Sequence, residues 1–297
     1  MHRRAALLLA TALLAACAPA HDEDGATTSR DPVACTPPRV APDAPRTRRS
    51  DGEERRYLLS VPKDEPPASG FPLVVSLHGH GSSAADHEAN TSLAAAARVG
   101  GFVVATPDAL GDPARWNFDS RPDGPDDYAF IARLIDDLTR EMCIDPTRVY
   151  LAGSSNGAAF AGFLACRGGA DVAAVAMVIA TVPPTCQPER HPSMLTIRGT
   201  ADVTVPYAGT EDMVAAWADH DGCSTPLHTD EPSPGVQRTT YDGCKDHRRV
   251  ELVAITGGVH AWPGSVRADR PGNSAAAISF SATDDVLAFF ADEGQAS

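Results

Sequence analysis

Short apolar runs alternate with longer segments of helical periodicity along most of the chain. Seven runs are almost continuously apolar, as expected for strands buried on both faces of a sheet: residues 57–61, 73–77, 102–106, 149–152, 175–179, 194–197 and 250–255. The segments between and after them predict five helices: residues 86–99, 126–142, 156–165, 212–219 and 282–290. This strand–helix alternation predicts an α/β protein with a mostly parallel central sheet and helices on both faces.

The N-terminal segment departs from this alternation. Residues 1–16 join a basic start to an apolar run that is too short to span a bilayer, which predicts a secretory signal peptide. Leu14, Ala15, Ala16 and Cys17 resemble a bacterial lipoprotein box, in which Cys17 is lipidated and becomes the mature N-terminus. Ordinary cleavage close by, with an incidental cysteine, is the alternative interpretation.

Composition then separates a linker from a folded part. Residues 17–52 are rich in Pro, Asp, Arg and Thr and have almost no large apolar side chains, which predicts a disordered tether after the lipidated Cys17. A single folded domain is expected over residues 53–293. We therefore expect an exported protein, either anchored to the cell envelope as a bacterial lipoprotein or secreted, with the N-terminal lipid as its sole membrane contact.

Net charge limits the classes of binding partner, and cysteine content predicts disulfides. The formal net charge of −14 argues against nucleic acid, whose binding proteins carry a basic face. Lipidation of Cys17 would leave six of the seven cysteines, an even number typical of disulfides in an exported protein. Connectivity stays open; the pairings we favour are Cys223–Cys244, Cys166–Cys186 and, as the remainder, Cys35–Cys143. No His/Cys cluster has metal-ligand spacing, so neither a metal site nor a cofactor is expected.

The stretch LAGSSNG at residues 151–157 holds the first candidate for catalysis. Gly153, Ser155 and Gly157 fit the pattern G-x-S-x-G, in which a sharp strand-to-helix turn lifts a serine above the sheet. An apolar strand precedes the stretch and a small-residue helix follows it, as a nucleophile elbow requires. Ser155 is the predicted nucleophile and Ser154 fills the variable position. A glycine-rich turn is the alternative, because the pattern alone is common.

A second glycine-containing loop, LHGHGS at residues 77–82, follows the strand at 73–77. Glycines just past a strand end allow backbone N–H groups to point at a bound oxygen, and an oxyanion hole needs two such donors. We expect one donor from His80, with Gly81 as the alternative. The other is expected from Asn156, the residue after the predicted nucleophile.

An acid and a base follow in the order that a Ser–Asp–His triad requires. Asp202 comes shortly after the strand at 194–197, and His260 shortly after the strand at 250–255. Ligands of open α/β sheets bind at the carboxyl ends of the strands, so these two side chains are expected beside Ser155. A turn or cap aspartate is the alternative interpretation of Asp202 alone.

The four blocks LHGHGS, RVYLAGSSNGAAFA, RGTADVTVPYAG and GGVHAWPG together resemble a known group of enzymes. They are similar to the secreted polyhydroxybutyrate depolymerase and feruloyl/acetylxylan esterase group of α/β-hydrolases, over about residues 53–293. The resemblance implies an α/β-hydrolase fold with Ser155 as nucleophile, Asp202 as acid and His260 as base. Two departures border the expected pocket: His80 stands where many members have cysteine, and GGVH replaces GGGH.

The expected function is therefore that of a serine esterase that cleaves carboxylic esters through an acyl-enzyme, as polyhydroxybutyrate depolymerases do. Expected substrates are hydroxyalkanoate oligomers or generic small esters, with the aromatic or acetyl esters of plant polysaccharide as the alternative. Trp116 and Trp262 are candidate walls of the substrate pocket. Two further hypotheses stay open, a peptidase of related fold and a catalytically silent surface binding protein on the same scaffold.

Overall fold

A sheet of ten strands forms the centre of the part of the protein that the computed structural model describes, residues 44–167, 171–186 and 190–293 without the side chains of 225–227. The strands are β1 (Ala44–Ser50), β2 (Glu53–Ser60), β3 (Phe71–Leu77), β4 (Val103–Pro107), β5 (Ile144–Ser154), β6 (Ala174–Val178), β7 (Ser193–Gly199), β8 (Ser224–Ser233), β9 (Val236–Asp242) and β10 (Val250–Ile255). Their order across the sheet is β1-β2-β4-β3-β5-β6-β7-β10-β9-β8. The six strands from β4 to β10 in this order are parallel, and the pairs at both edges are antiparallel.

Helices cover both faces of the sheet. They are α1 (Ala84–Thr91), α2 (Leu93–Val99), α3 (Asp127–Glu141), α4 (Asn156–Arg167), α5 (Thr210–His220), α6 (Ala275–Ser279) and α7 (Ala282–Glu293). One hydrophobic core lies under α3, α4 and α5, and a second lies under α2, α6 and α7. The predicted α/β architecture is thereby confirmed.

The sequence pattern predicts the central strands well and the long first helix less well. All seven predicted strands are present, and β3, β4, β6, β7 and β10 are buried along their whole length, as their continuous apolar runs require. The predicted helix at 86–99 is instead divided into α1 and α2, because Ser92 takes a left-handed conformation with φ 56°.

The predicted tether is wrong at its C-terminal end. Residues 44–50 form β1, which pairs antiparallel with β2 along its full length. Burial alternates along this edge strand, and Arg48 forms ion pairs with Asp137 and Glu141 of α3. A strand held by cross-strand hydrogen bonds and surface ion pairs needs no apolar run, so composition alone does not reveal it. The polar hairpin of β8 and β9 at the other edge escapes prediction for the same reason.

The predictions for the N-terminal segment concern residues that the structure does not describe. Residues 1–16, the lipidation candidate Cys17 and the disulfide candidate Cys35 lie outside the described residues. Among the helices that the structure does describe, none combines the length and apolar character needed to cross a membrane.

Candidate active site

Ser155 occupies a strained turn between β5 and α4. Its φ of 53° lies in the left-handed region, which few non-glycine residues adopt, and its N–H donates to Val178 O at 3.0 Å. The flanking glycines permit this turn: a methyl group on Gly153 would lie 2.5 Å from the Gly157 carbonyl, and one on Gly157 would lie 2.3 Å from Leu77 O. The turn is therefore the strand-to-helix elbow that the sequence predicts.

The imidazole of His260 lies between Ser155 and Asp202. Its Nε2 is 2.9 Å from Ser155 Oγ, and its Nδ1 is 2.7 Å from Asp202 Oδ2. Because Asp202 accepts a hydrogen bond from Nδ1–H, Nε2 is the unprotonated nitrogen and can accept the proton of the serine hydroxyl. Asp202 and His260 follow the carboxyl ends of the neighbouring strands β7 and β10. The structure thus brings together the three side chains that sequence reasoning selected.

The carboxylate of Asp202 is buried and fully hydrogen-bonded. While Oδ2 accepts from His260, Oδ1 accepts the backbone N–H groups of Thr204 at 2.9 Å and Val205 at 3.0 Å. These bonds hold the carboxylate in one orientation. Asp202 can therefore fix the tautomer of His260 and stabilise its imidazolium.

A buried arginine supports the acid loop. Arg198 Nη2 donates to Val205 O at 2.7 Å and to Pro206 O at 3.1 Å, and Nη1 donates to Thr181 Oγ1 at 3.2 Å. Burial lowers the pKa of Arg198, and the negative charge of Asp202 opposes that shift. This role was not predicted from the sequence, although an arginine directly after the apolar run at 194–197 is a signal that could have indicated it.

The oxyanion loop has one backbone donor that is already engaged. Gly81 N–H donates to Ala114 O at 2.8 Å, so it is not available to a substrate oxygen. Within the described residues, the N–H groups of His80 and Asn156 donate to no protein acceptor. A methyl group on Gly79 would lie 3.5 Å from Ser155 Cβ, so this loop passes close to the elbow. The geometry favours His80 over Gly81, together with Asn156.

His78 ties the oxyanion loop to the segment after β4. Its Nε2 accepts the backbone N–H of Ala109 at 3.0 Å, so the ring proton lies on Nδ1, 2.8 Å from Gly79 O. Burial lowers the pKa of His78, which keeps the ring neutral. The carbonyl of His78 accepts the indole N–H of Trp116 at 2.9 Å.

Asn156 binds the same tryptophan with its side chain. Oδ1 accepts the backbone N–H of Trp116 at 2.8 Å, and Nδ2 donates to the Trp116 carbonyl at 3.2 Å. We call His78, Trp116 and Asn156 the oxyanion latch, because they join both candidate donor segments to one loop. Sequence reasoning assigned only the backbone of Asn156, since Trp116 lies 40 residues away along the chain.

The two tryptophans predicted as pocket walls are both buried, so those predictions are wrong. Trp116 is 0% exposed and stacks on Phe160 with ring centroids 5.2 Å apart. Trp262 is 2% exposed and donates its indole N–H to Thr283 Oγ1 at 3.1 Å. Proximity to a strand end does not decide which way a side chain points. Both indoles point into the protein, where their N–H groups find acceptors.

An open cavity adjoins the exposed side chain of His80. Its volume is about 390 Å³, and its lining includes Leu110, Pro113, Arg115 and Arg121. Both arginines form ion pairs with Asp119. This cavity lies beside the oxyanion loop, on the segment that the oxyanion latch holds.

Two of the predicted disulfides are present. Cys166–Cys186 joins the last turn of α4 to the segment between β6 and β7, and Cys223–Cys244 joins the residues after α5 to those after β9. The third prediction, Cys35–Cys143, involves a residue outside the described part of the chain.

Known proteins with similar sequences include esterases. Residues 57–200 match the family described as Esterase PHB depolymerase. The chain is 29% identical over 240 residues to feruloyl esterase B of Piromyces equi, covering 70% of this chain and 42% of that protein. It is 25% identical over 218 residues to feruloyl esterase C of Emericella nidulans, covering 70% of this chain and 77% of the relative. The chain thus spans less than half of the first relative and about three quarters of the second.

A solved structure shows the same fold. Acetyl xylan esterase from Aspergillus awamori superimposes with a TM-score of 0.58 at 18% identity, covering 80% of this chain and 94% of that one. At this identity the likeness supports the architecture, while the family match and the feruloyl esterase relatives concern the sequence itself.

Proposed function

We propose that this chain is a serine esterase that hydrolyses carboxylic esters, on the premise that it belongs with the polyhydroxybutyrate depolymerase, feruloyl esterase and acetylxylan esterase group that it resembles. One observation carries the proposal. A continuous hydrogen-bonded series runs from Asp202 through His260 to Ser155 Oγ at the turn between β5 and α4. Neither the peptidase nor the silent binding protein is favoured by a specific feature of the site.

The proposed reaction uses these groups in two half-reactions. His260 Nε2 removes the proton from Ser155 as Oγ attacks the ester carbonyl, and the N–H groups of His80 and Asn156 bind the oxyanion. His260 then donates the proton to the departing alcohol, which leaves an acyl group on Ser155. A water molecule, deprotonated by His260, attacks this acyl group, and His260 returns the proton to Ser155 Oγ as the acid is released.

Hydroxyalkanoate oligomers are the substrate class that we propose first, following the family match at residues 57–200. Feruloyl or acetylated polysaccharide esters are the second candidate, because the curated relatives include feruloyl esterases. The cavity of about 390 Å³ beside His80 is a candidate subsite for one side of the ester. Small-molecule sites typically have volumes of about 300–1,000 Å³, so the cavity is large enough for either class.

Hydrolysis of p-nitrophenyl butyrate by the purified chain tests the serine mechanism. Loss of the nucleophile costs about 10⁶-fold in kcat in a comparable triad, and we expect a loss of that order for Ser155→Ala. Ser154→Ala is the matched control, since Ser154 is the buried last residue of β5 and should retain most activity. Equal losses from the two substitutions would contradict the assignment of Ser155.

A second assay separates the substrate classes. Initial rates on hydroxybutyrate oligomers, methyl ferulate, acetylated xylan and a peptide panel should be highest for the oligomers. The highest rate on ferulate or xylan would favour the second candidate. Cleavage of peptides without cleavage of esters would favour a peptidase, and no turnover of any substrate would favour a binding protein.

We also propose that the chain is exported and anchored through a lipid on Cys17. The Cys166–Cys186 and Cys223–Cys244 disulfides support an oxidising compartment. Metabolic labelling of a bacterial host with an alkyne-tagged fatty acid should tag the protein, and Cys17→Ser should remove the tag. A full-length protein labelled equally with and without Cys17 would contradict the anchor.

A further inference from the structure

A cluster of two imidazoles and one carboxylate lies at the end of β7 away from the candidate active site. His191 stands just before β7, while His220 ends α5 and Asp221 caps that helix. One possible ligand atom from each of these three side chains lies within 4.8 Å of the other two. The sequence predicts no metal site because His191 lies 30 residues before Asp221, a spacing that no ligand motif shows.

The carboxylate of Asp221 is buried with one oxygen unsatisfied. Its side chain is 0% exposed, and Oδ1 is 3.3 Å from His191 Nδ1 and 3.8 Å from His220 Nε2. Among the described residues, the other oxygen, Oδ2, has no hydrogen-bond partner. A buried carboxylate that lacks a donor on one oxygen is costly unless a nearby cation compensates its charge.

The separations between these atoms suit a zinc ion. Zinc binds imidazole and carboxylate at about 2.0–2.2 Å in a tetrahedral array, in which neighbouring ligand atoms lie about 3.3–3.5 Å apart. The distance between His191 Nδ1 and Asp221 Oδ1 is 3.3 Å, and that between His220 Nε2 and Asp221 Oδ1 is 3.8 Å. Small rotations of the side chains would bring all three atoms onto one ion.

We propose that His191, His220 and Asp221 form a zinc site with water as the fourth ligand. Two imidazoles disfavour Mg²⁺ and Ca²⁺, which prefer oxygen ligands. His220 Nε2 lies 2.7 Å from Arg190 O, so zinc would take the place of the proton shared there. A cavity of about 180 Å³, lined in part by His191, Asp171 and Asp246, adjoins the cluster at His191.

The site has a structural role. Asp202 and His260 follow the carboxyl ends of β7 and β10, whereas His191 precedes the amino end of β7. A metal held there joins the segment before β7 to the C-terminus of α5. This is the region that the Cys166–Cys186 and Cys223–Cys244 disulfides also restrain.

Zinc retention by the mature chain tests the site. Protein treated with EDTA is incubated with ZnCl₂, desalted and analysed for metal content, with CaCl₂ and MgCl₂ in parallel. We expect one zinc per chain and no retained calcium or magnesium. Asp221→Asn and His220→Gln should each weaken zinc binding at least about 100-fold, since loss of a supporting group alone costs about 10–100-fold.

Matched controls separate this site from adventitious binding. Asp219→Asn changes an exposed carboxylate on the same helix, and His228→Gln changes an exposed histidine on β8; both should retain the zinc. His260→Ala should also retain it, which excludes the candidate active site as the binding place. No zinc on the wild-type chain, or equal zinc on the wild type and Asp221→Asn, overturns the proposal.

Thermal unfolding distinguishes a zinc site from a permanent imidazolium–carboxylate pair. Without metal, Asp221→Asn should unfold at the same temperature as the wild type or higher, because it removes a buried charge whose Oδ2 lacks a hydrogen-bond donor. Zinc should raise the unfolding temperature of the wild type and leave that of the variant unchanged. If Asp221→Asn lowers the metal-free unfolding temperature and zinc does not affect the wild type, the cluster is an ion pair and the proposal is wrong.

Discussion

Strand β7 has an imidazole–carboxylate pair beyond each of its ends, and the two carboxylates are satisfied differently. Asp202, past the carboxyl end, accepts hydrogen bonds on both oxygens, from His260 and from two backbone N–H groups. Asp221, beside the amino end, has a longer contact to His191 and an oxygen without a hydrogen-bond partner in the described part of the chain. The same two side-chain types are therefore arranged for orientation at one end and for ligand binding at the other.

The surroundings of the two carboxylates explain this difference. The loop after Asp202 turns back so that the N–H groups of Thr204 and Val205 donate to the Asp202 carboxylate. Arg198 donates to the Val205 carbonyl and so stabilises this loop. Asp221 caps α5 and is adjacent to carbonyl groups at the C-terminal end of that helix, where backbone donors are scarce. A carboxylate that the backbone satisfies can orient a base, whereas one that the backbone leaves bare needs a cation.

The largest expected effect is a loss of kcat on substitution of Asp202, at the carboxyl end of β7. Asp202→Asn should lower kcat about 10⁴-fold, the loss seen when the acid of a comparable triad is replaced, because the imidazole is no longer held in its reactive tautomer. Steady-state hydrolysis of p-nitrophenyl butyrate measures this loss. Asp219→Asn, an exposed carboxylate on α5, is the control. Retention of more than about one tenth of the wild-type kcat by Asp202→Asn would show that the hydrogen bonds at this end are not catalytic.

An intermediate loss of kcat is expected when a hydrogen bond of the oxyanion latch is removed. Trp116→Phe removes the indole N–H that donates to His78 O, so the oxyanion loop should lose part of its orientation. One misdirected hydrogen bond is worth about 1.5 kcal/mol, so kcat should fall about 10-fold while KM changes little.

Trp217→Phe is the matched control for that variant. Trp217 is also fully buried, and its indole N–H donates to Val182 O at 2.7 Å under α5, away from the oxyanion loop. Both variants should lose stability, but only Trp116→Phe should lose kcat. Equal losses of kcat would mean that general destabilisation, and not the oxyanion latch, explains the effect.

The smallest effect is expected from His87, a buried imidazole for which the described residues provide no carboxylate partner. Burial lowers the pKa of His87 to about 3, and its Nε2 lies 3.0 Å from Ser76 Oγ. Between that value and its unfolded pKa of about 6.5, the unfolded chain binds the proton that the folded chain does not, so stability falls as the pH falls. His87→Gln should reduce the slope of unfolding free energy between pH 6 and pH 4 by up to about 1.4 kcal/mol per pH unit.

Urea unfolding in EDTA at several pH values measures this slope. Glutamine can replace the hydrogen bond to Ser76 but does not titrate. Identical slopes for the wild type and His87→Gln would show that His87 is solvated or protonated in the folded protein.

The central sheet and the catalytic series could be predicted because both depend on local patterns. Buried parallel strands have continuous apolar runs, and functional residues of such sheets follow the strand ends, which is how Ser155, Asp202 and His260 were selected. The edge strand β1 and the β8–β9 hairpin could not be predicted, since pairing and surface ion pairs stabilise them without apolar runs.

The other differences between the predicted and the observed site arise from side-chain direction and from contacts between residues distant in sequence. Trp116 and Trp262 follow strand ends as predicted, but their indoles point into the core, and the direction of a side chain is set by packing. His191 and Asp221 lie 30 residues apart and meet only because α5 returns to the amino end of β7. No local pattern encodes that meeting.

The central claim is that Ser155 is the nucleophile of an esterase, and mapping of a covalent adduct tests it most directly. The purified wild-type chain is treated with a fluorophosphonate, digested and analysed by mass spectrometry, alongside Ser155→Ala and Ser154→Ala. We predict a single adduct on Ser155 in the wild type and in Ser154→Ala, and none in Ser155→Ala. An adduct on Ser154, or no adduct on the folded wild-type chain, would contradict the assignment.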